Sequence, residues 1–264
     1  MSELTVTILG CGTSVGVPAL GRAGWGQCNP DNPKNRRQRA ALLVQSDTTT
    51  ILVDAGPDIR QQLLPHNLTK IDALFVTHTH ADHVAGLDDL RTFYWPDRIK
   101  IPVYTTPTHG QDITTRFPYL MTKMANSPSY FQPPLELHHI APGDTLTIGN
   151  IAIDVLHQDH GQVVSLGFIF NQSVGYSTDL VSMPDENFEK LSNIPYWIVE
   201  ALREETHQSH SHLAQTLDWI ARINPSQAYL THLGLEADYD MFMSQTPDHV
   251  APAYDGLQFT TSSK

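Results

Sequence analysis

The chain contains only two cysteines, Cys11 and Cys28, among its 264 residues. Two thiols cannot build a disulfide framework, so both are expected to be reduced. No apolar run approaches the roughly 20 residues of a membrane-spanning helix, and the N-terminus lacks the basic segment and apolar core of a secretory signal. These absences predict a cytoplasmic protein that does not contact a membrane.

Basic residues are also scarce. The chain has 16 Lys and Arg against 28 Asp and Glu, and its formal net charge is −12. Nucleic-acid binding that is independent of sequence needs clustered basic side chains to neutralise phosphates, so a nucleic-acid partner is not expected. A small phosphorylated substrate stays compatible with this charge, because bound metal ions supply local positive charge that the count omits.

Hydrophobic residues make up 40% of the chain, which suits an ordinary globular protein. A chain of 264 residues is long enough for one large α/β domain or two small ones. No repeat, linker or low-complexity tract divides the sequence, and we expect one domain over residues 1–264.

Histidine is abundant, with 14 residues, and four potential metal ligands fall within six positions. They come directly after the apolar run Ala73-Leu74-Phe75-Val76, which predicts a buried strand. The stretch reads Thr77-His78-Thr79-His80-Ala81-Asp82-His83. On an extended backbone, residues two apart point to the same side, so His78 and His80 can hold one metal ion between them. Asp82 and His83 project elsewhere once the chain turns, and they suit a second ion.

The alternative interpretation of this stretch is a His-rich surface loop. Such loops rarely follow a fully apolar strand and then continue at once into a partly apolar helix, as the segment from Val84 to Leu90 does here. A metal site is therefore favoured.

The motif His78-x-His80-x-Asp82-His83 resembles the signature of the metallo-β-lactamase superfamily, and the resemblance extends over nearly the whole chain. Within that superfamily the chain is similar to the branch of PhnP-like cyclic phosphodiesterases. The supporting segments are Gly10-Cys11-Gly12-Thr13-Ser14, Gly16-Val17-Pro18, Val53-Asp54-Ala55-Gly56, Ser177-Thr178-Asp179, His207-x-x-His210, Thr231-His232 and Tyr254-Asp255-Gly256.

The resemblance implies seven metal ligands, all present in this sequence. They are His78, His80 and His160 for one ion, Asp82, His83 and His232 for the other, and Asp179 as a bridge. Without the resemblance, Asp179 would be interpreted as a cap for the helix that begins near Pro184. The ligands are imidazole and carboxylate only, so we expect two divalent ions, Zn²⁺ first and Mn²⁺ or Fe²⁺ as alternatives.

The predicted strands and helices fit the fold that the resemblance implies. Ligand-bearing residues follow successive strands, and two β-rich halves are each flanked by helices, as in a four-layer αββα sandwich of the α/β (α+β) class. Asp54, after the predicted strand from Thr50 to Val53, is either a strand-end cap or the buried carboxylate that orients the histidine loop. The resemblance favours the second role.

The resemblance also implies a metal-dependent hydrolase, and we expect a phosphodiesterase for a small phosphodiester, cyclic phosphates included. Two ions roughly 3.5–4 Å apart would lower the pKa of a shared water, and the metal-bound hydroxide would attack the phosphorus. His210 is expected to contact the phosphate and protonate the leaving oxygen, with His207 beside it. The predicted catalytic residues are Asp82, His210 and His207. Alternatively, a separate metal site could be formed by His207, His210 and His212.

Other functions are compatible with the same signature. A glyoxalase-II-like thioesterase and a tRNase Z-like nuclease are the hydrolytic alternatives, and the acidic charge argues against the nuclease. A flavodiiron-type redox protein would need another ligand set and a flavin domain. A binding protein that has lost catalysis would usually lack ligands, and none is missing here. A homodimer is also compatible with the resemblance.

The loop from Gly21 to Arg39 departs from the PhnP-like pattern. In PhnP-like proteins, three cysteines in this loop and a histidine near the C-terminus bind a structural zinc. Here only Cys28 remains, and Leu235 falls where the histidine would be. One thiolate cannot close a tetrahedral site, so no structural zinc is expected. The basic run at the end of the loop is either solvated or helps to hold an anionic substrate.

Overall fold

The computed structural model describes residues 2–125 and 127–261, and its strands form two sheets. The strands are β1 (Thr5–Gly10), β2 (Ala41–Gln45), β3 (Thr50–Val53), β4 (Ala73–Phe75), β5 (Ile101–Thr105), β6 (Leu135–His139), β7 (Thr145–Ile148), β8 (Ile151–His160), β9 (Val163–Phe170), β10 (Val174–Ser177), β11 (Tyr196–Glu200), β12 (Gln227–Thr231), β13 (Val250–Pro252) and β14 (Leu257–Thr260). The first sheet has the order β14-β1-β2-β3-β4-β5-β6, and the second has the order β13-β12-β11-β10-β9-β8-β7.

Short helices cover the outer faces of both sheets. They are α1 (Ile59–Leu63), α2 (Ala81–Val84), α3 (Arg91–Tyr94), α4 (Pro107–Arg116), α5 (Pro118–Met121), α6 (Asp185–Leu191), α7 (Leu213–Ile223) and α8 (Tyr239–Gln245). In the described residues, 3₁₀ turns lie at Pro33–Asn35, Leu64–His66 and Leu87–Leu90. Within the described ranges, no helix combines the length and apolar character that crossing a bilayer requires.

The strands alternate their apolar side chains between two cores, as the period of two along a strand requires. In β2, Leu42 and Val44 face the second sheet, whereas Ala41 and Leu43 face the helices. The second sheet supplies Phe168 and other side chains to the shared core between the sheets. Two further apolar clusters lie under the helices on the outer faces. The expected αββα sandwich is therefore confirmed.

Parallel pairing brings the functional loops to one edge of the sandwich. Strands β3 and β4 are parallel, and so are β10, β11 and β12. Because the carboxyl ends of parallel strands meet at the same edge, the residues that follow them lie close together. A backbone hydrogen bond of 3.0 Å from Leu166 N–H to the carbonyl of Thr77 joins the loop after β4 to the second sheet.

Candidate metal centre

Three histidine side chains converge at this edge. His78 follows β4, His80 precedes α2, and His160 is the last residue of β8. Nε2 of His78 lies 2.9 Å from Nδ1 of His80, and Nε2 of His160 lies 3.3 Å from the same atom. His78 and His160 are buried, whereas His80 is exposed. The structure therefore brings together the three residues that were predicted to hold one ion.

A second cluster contains two carboxylates and two imidazoles, all buried. Nε2 of His83 lies 3.2 Å from Asp82 Oδ2 and 3.1 Å from Asp179 Oδ2. Nε2 of His232 lies 3.4 Å from Asp179 Oδ1 and 3.8 Å from Asp82 Oδ2. These are the four residues that were predicted for the second ion and the bridge.

Asp179 lies between the two clusters. Its Oδ1 is 3.7 Å from Nε2 of His160 and 4.0 Å from Nε2 of His78, while its Oδ2 faces His83. The backbone of Asp179 is left-handed, with φ 54°, and so is that of His232, with φ 53°. Such a conformation costs of order 1–3 kcal/mol in a residue other than glycine, and it persists where the surrounding structure imposes it. Here it turns each side chain back toward the site directly after a strand.

The carboxylate of Asp54 contacts the histidine loop at Thr77 and His83. Its Oδ1 accepts a hydrogen bond of 2.9 Å from the N–H of Thr77, and its Oδ2 accepts one of 2.9 Å from the hydroxyl of Thr77. The same Oδ2 lies 2.7 Å from Nδ1 of His83. These buried contacts confirm that Asp54 orients the histidine loop and is not merely a strand cap.

The unsatisfied nitrogen atoms of the second cluster fit a metal ion. Nε2 of His83 and Nε2 of His232 are buried and have no hydrogen-bond partner within the described part of the chain. Their Nδ1 atoms lie 2.7 Å from Asp54 and 2.9 Å from Glu200, so a carboxylate faces the far side of each ring. With an ion bound in place of a proton, each ring would direct its Nε2 lone pair inward, as a metal-binding imidazole does.

The electrostatics of the second cluster also favour a cation. Burial alone would lower the pKa of His83, but the carboxylates of Asp179, Asp54 and Asp82 raise it well above its usual range. Burial would raise the pKa of Asp179, yet His232 and His83 hold it well below its usual range. Positive charge is therefore stabilised between these carboxylates. In the first cluster, by contrast, burial lowers the pKa of His78 and keeps its ring neutral.

Glu200 was not identified from the sequence, where it marked only the end of a predicted strand. It is completely buried at the end of β11, and its Oε2 accepts a hydrogen bond of 2.7 Å from the N–H of Leu180. Its Oε1 lies 2.5 Å from Nδ1 of His210 and 2.9 Å from Nδ1 of His232. One signal could have revealed Glu200 in the sequence: a charged residue directly follows the apolar segment Tyr196-Trp197-Ile198-Val199.

The two predicted substrate-facing histidines have different surroundings. The ring of His210 stacks on that of His232, with centroids 4.9 Å apart, and its side chain is 14% exposed. His207 is exposed, and its ring centroid lies 4.9 Å from that of His210. His210 thus adjoins the second cluster through His232 and Glu200, whereas His207 lies farther out.

Comparison with known proteins agrees with this architecture. Residues 49–233 match the family described as the beta-lactamase superfamily domain. The chain therefore belongs to the metallo-β-lactamase superfamily of hydrolases. Its fold family implies divalent metal ions, and the His and Asp clusters fit them.

Within the superfamily, the chain is PhnP-like. The crystal structure of a new diphosphatase from the PhnP family superposes on it with a TM-score of 0.89 and 29% identity, over 98% of this chain and 97% of that chain. The short form of human tRNase Z superposes with a TM-score of 0.70 and 18% identity, over 97% of this chain and 98% of that chain, which shows the shared fold alone.

Curated relatives carry different names. An octanoyltransferase of Porphyromonas gingivalis is 31% identical over 260 residues, which are 97% of this chain and 51% of that protein. A ribonuclease Z of Methanopyrus kandleri is 29% identical over 133 residues, which are 49% of this chain and 43% of that protein. The chain spans about half the length of the curated relatives it matches.

Proposed function

We propose that the chain is a dinuclear metal-dependent phosphodiesterase that hydrolyses a small phosphodiester, cyclic phosphates included. The observation that carries this proposal is the position of Asp179, whose carboxylate lies within 4.0 Å of both clusters: Oδ2 faces His83, and Oδ1 lies between His160 at 3.7 Å and His232 at 3.4 Å. Similarity to a diphosphatase of the PhnP family and to ribonuclease Z supports phosphoryl chemistry.

The ions would be held by the seven residues of the two clusters, with Asp179 shared. When bound, two divalent ions would supply Lewis acidity toward the phosphoryl oxygens and activate a water molecule. The protein's part is to fix the ligands, and Asp54 does so for His83 through its contact with Nδ1. Ser209 does the same for His160, since its carbonyl lies 2.7 Å from Nδ1 of that ring.

His210 is the group we assign to the leaving oxygen. Glu200 occupies its Nδ1 at 2.5 Å, so Nε2 is the nitrogen left to face a substrate. A carboxylate behind the ring fixes the orientation of the imidazole, so that Nε2 is placed to donate a hydrogen to the leaving oxygen. His207, exposed beside it, would contact the substrate farther from the reacting atoms.

The experiment that tests this function compares three substrates on protein of known metal content: bis(p-nitrophenyl) phosphate, p-nitrophenyl phosphate and a thioester. The thioester is included because a relative is named an octanoyltransferase. We expect turnover of the diester, and its loss in Asp179→Ala. Turnover of the thioester alone would assign the chain to the glyoxalase-II-like branch and overturn the proposal.

A further inference from the structure

A cavity of about 620 Å³ lies beside the first His cluster. Its wall includes Thr79, which stands between His78 and His80 in the sequence, and Val163, which pairs in register with His160. A phosphodiester carries two ester groups on its phosphorus. If the phosphorus lies at the clusters, this cavity is the adjoining space for one of the two groups.

A further part of the lining comes from the beginning of α4 and its N-cap residue Thr106. Thr106, Thr108, His109 and Asp112 line the cavity there. The hydroxyls of the threonines and the carboxylate of Asp112 can bind alcohol groups, since a hydroxyl both donates and accepts. This part of the lining is therefore suited to a group that carries hydroxyls, while Pro142, Val163 and Val164 supply an apolar part of the lining.

The described residues that line the cavity offer no unpaired Lys or Arg side chain to a ligand. Among the described residues, no Lys or Arg lines the cavity, and Asp112 is its one Asp or Glu. The nearby Arg116 guanidinium lies 3.1 Å from Asp112 Oδ2 and donates through the same nitrogen to the carbonyl of Thr79. Burial lowers the pKa of His109, whose Nε2 lies 2.9 Å from the carbonyl of Val164, so this ring stays neutral.

His157, the other histidine that lines the cavity, already faces an acidic side chain. Nε2 of His157 lies 3.1 Å from Asp159 Oδ1, so an acidic partner already faces that ring. A second phosphate in the cavity would meet the Asp112 carboxylate and lose its hydration without gaining a free cation. Because Asp112 already pairs with Arg116, that guanidinium is not free for a second phosphate, and a phosphate beside this carboxylate is disfavoured.

We infer that this cavity receives an uncharged, hydroxylated ester group, such as a nucleoside or a sugar, and that Asp112 excludes substrates with a second phosphate there. This inference rests on the proposed phosphodiesterase function and names the substrate class of the same site. Asp112 acts here as a specificity-determining residue, with no part in the chemical step.

A matched pair of substrates tests the inference. Uridine 2′,3′-cyclic phosphate and its 5′-phosphorylated form share one scissile group and differ by one phosphate. We expect wild-type kcat/KM to favour the form without the 5′-phosphate by about tenfold or more. In Asp112→Asn this preference should shrink, and in Asp112→Lys it should disappear or reverse.

The control variant is Asp248→Lys, which makes the same charge change at an exposed residue just before β13, at the far edge of the second sheet. It should keep the wild-type preference. Bis(p-nitrophenyl) phosphate is measured alongside as the readout of the proposed function. The inference would be overturned by equal kcat/KM values for the two uridine substrates, or by the same preference in Asp112→Lys as in wild type. In either case, turnover of the diester would leave the proposed function intact. Absence of all diester turnover would overturn both.

Discussion

The carboxylate of Glu200 lies 2.5 Å from Nδ1 of His210 and joins a buried strand end to the rim of the metal centre. The carboxylate is completely buried, and its second oxygen is fixed by the N–H of Leu180 at 2.7 Å. A residue so constrained can set the orientation and the tautomer of the imidazole in front of it.

Glu200→Gln should therefore impair proton donation by His210. For a nucleoside 2′,3′-cyclic phosphate, whose leaving oxygen needs a proton, we expect kcat to fall by about 10²-fold or more. For bis(p-nitrophenyl) phosphate, whose leaving group is stable as an anion, the loss should stay below about tenfold. The measurement is kcat for both substrates at equal metal content.

His210→Ala serves as the reference for this effect. Its kcat should show the same dependence on the leaving group, because it removes the proton donor itself. Near-normal turnover of both substrates by His210→Ala, with metal retained, would exclude the assigned role. An equal loss for both leaving groups in Glu200→Gln would indicate that the carboxylate acts only through His232.

Asp54→Asn should weaken metal binding more than it weakens the fold. An amide can accept through one atom only, so either the contact with Thr77 or the contact with His83 must be lost. Removing such a support for a ligand typically costs about 10–100-fold in metal affinity, and we expect a change of this size in competition with a chelator. Asp72→Asn is the matched control, because Asp72 accepts a backbone N–H of Thr50 at 2.8 Å at the other end of the same strands. An unchanged affinity in Asp54→Asn would contradict the support role.

Cys28→Ser should leave the metal content unchanged. Cys28 Sγ lies 3.4 Å from the carbonyl of Leu235, and Arg37 Nη1 donates to the carbonyl of Ala237 at 2.7 Å, so hydrogen bonds join the two segments. Elemental analysis should give two divalent ions per chain before and after the substitution. A third ion that disappears in Cys28→Ser would show that a structural metal site exists.

The stability of the fold should fall as pH rises through the titration of Asp255. Burial raises the pKa of Asp255 to about 6, although its oxygens accept hydrogen bonds from the N–H groups of Gln38 and Cys11. The folded protein thus holds this proton more tightly than the unfolded chain. Its contribution is complete below the ordinary value of 3.8 and is lost as pH rises through about 6.

Urea unfolding checks this at several pH values, with excess chelator to remove pH-dependent metal release. Between about pH 4.5 and about pH 7, wild type should lose about 2 kcal/mol relative to Asp255→Asn, which has no proton to release. Parallel curves for the two proteins would contradict the assignment.

The histidine loop could be predicted from the sequence because its signals are local. An apolar strand followed at once by His78, His80, Asp82 and His83 fixes both the placement and the type of side chain. The residues from the second sheet were assigned by resemblance, since nothing in the sequence states that Asp179 and His232 lie within reach of that loop. Their convergence depends on how the two sheets pack.

Glu200 and the cavity beside Thr79 were missed for the same reason. Glu200 matters through contacts with His210 and His232, which lie on other elements, and the cavity is enclosed by α4 and the turn between β8 and β9. β8 continues to His160 because its pairing with β9 extends to Val163, and this pairing is what places His160 at the site. A sequence pattern indicates the period of a strand, but it does not indicate which strand pairs with it or how far the pairing extends.

The candidate metal ligands come from both halves of the chain, so the order of synthesis decides when each cluster is complete. A nascent chain that ends before Asp179 carries four donors in the histidine loop and His160, but neither the bridging carboxylate nor His232. The last strand, β14, pairs with the first, β1, so the first sheet stays incomplete until synthesis reaches residue 260. The group of candidate ligands for the second ion is thus complete only after His232 is made, and a product truncated before Asp179 would lack the carboxylate between the two clusters.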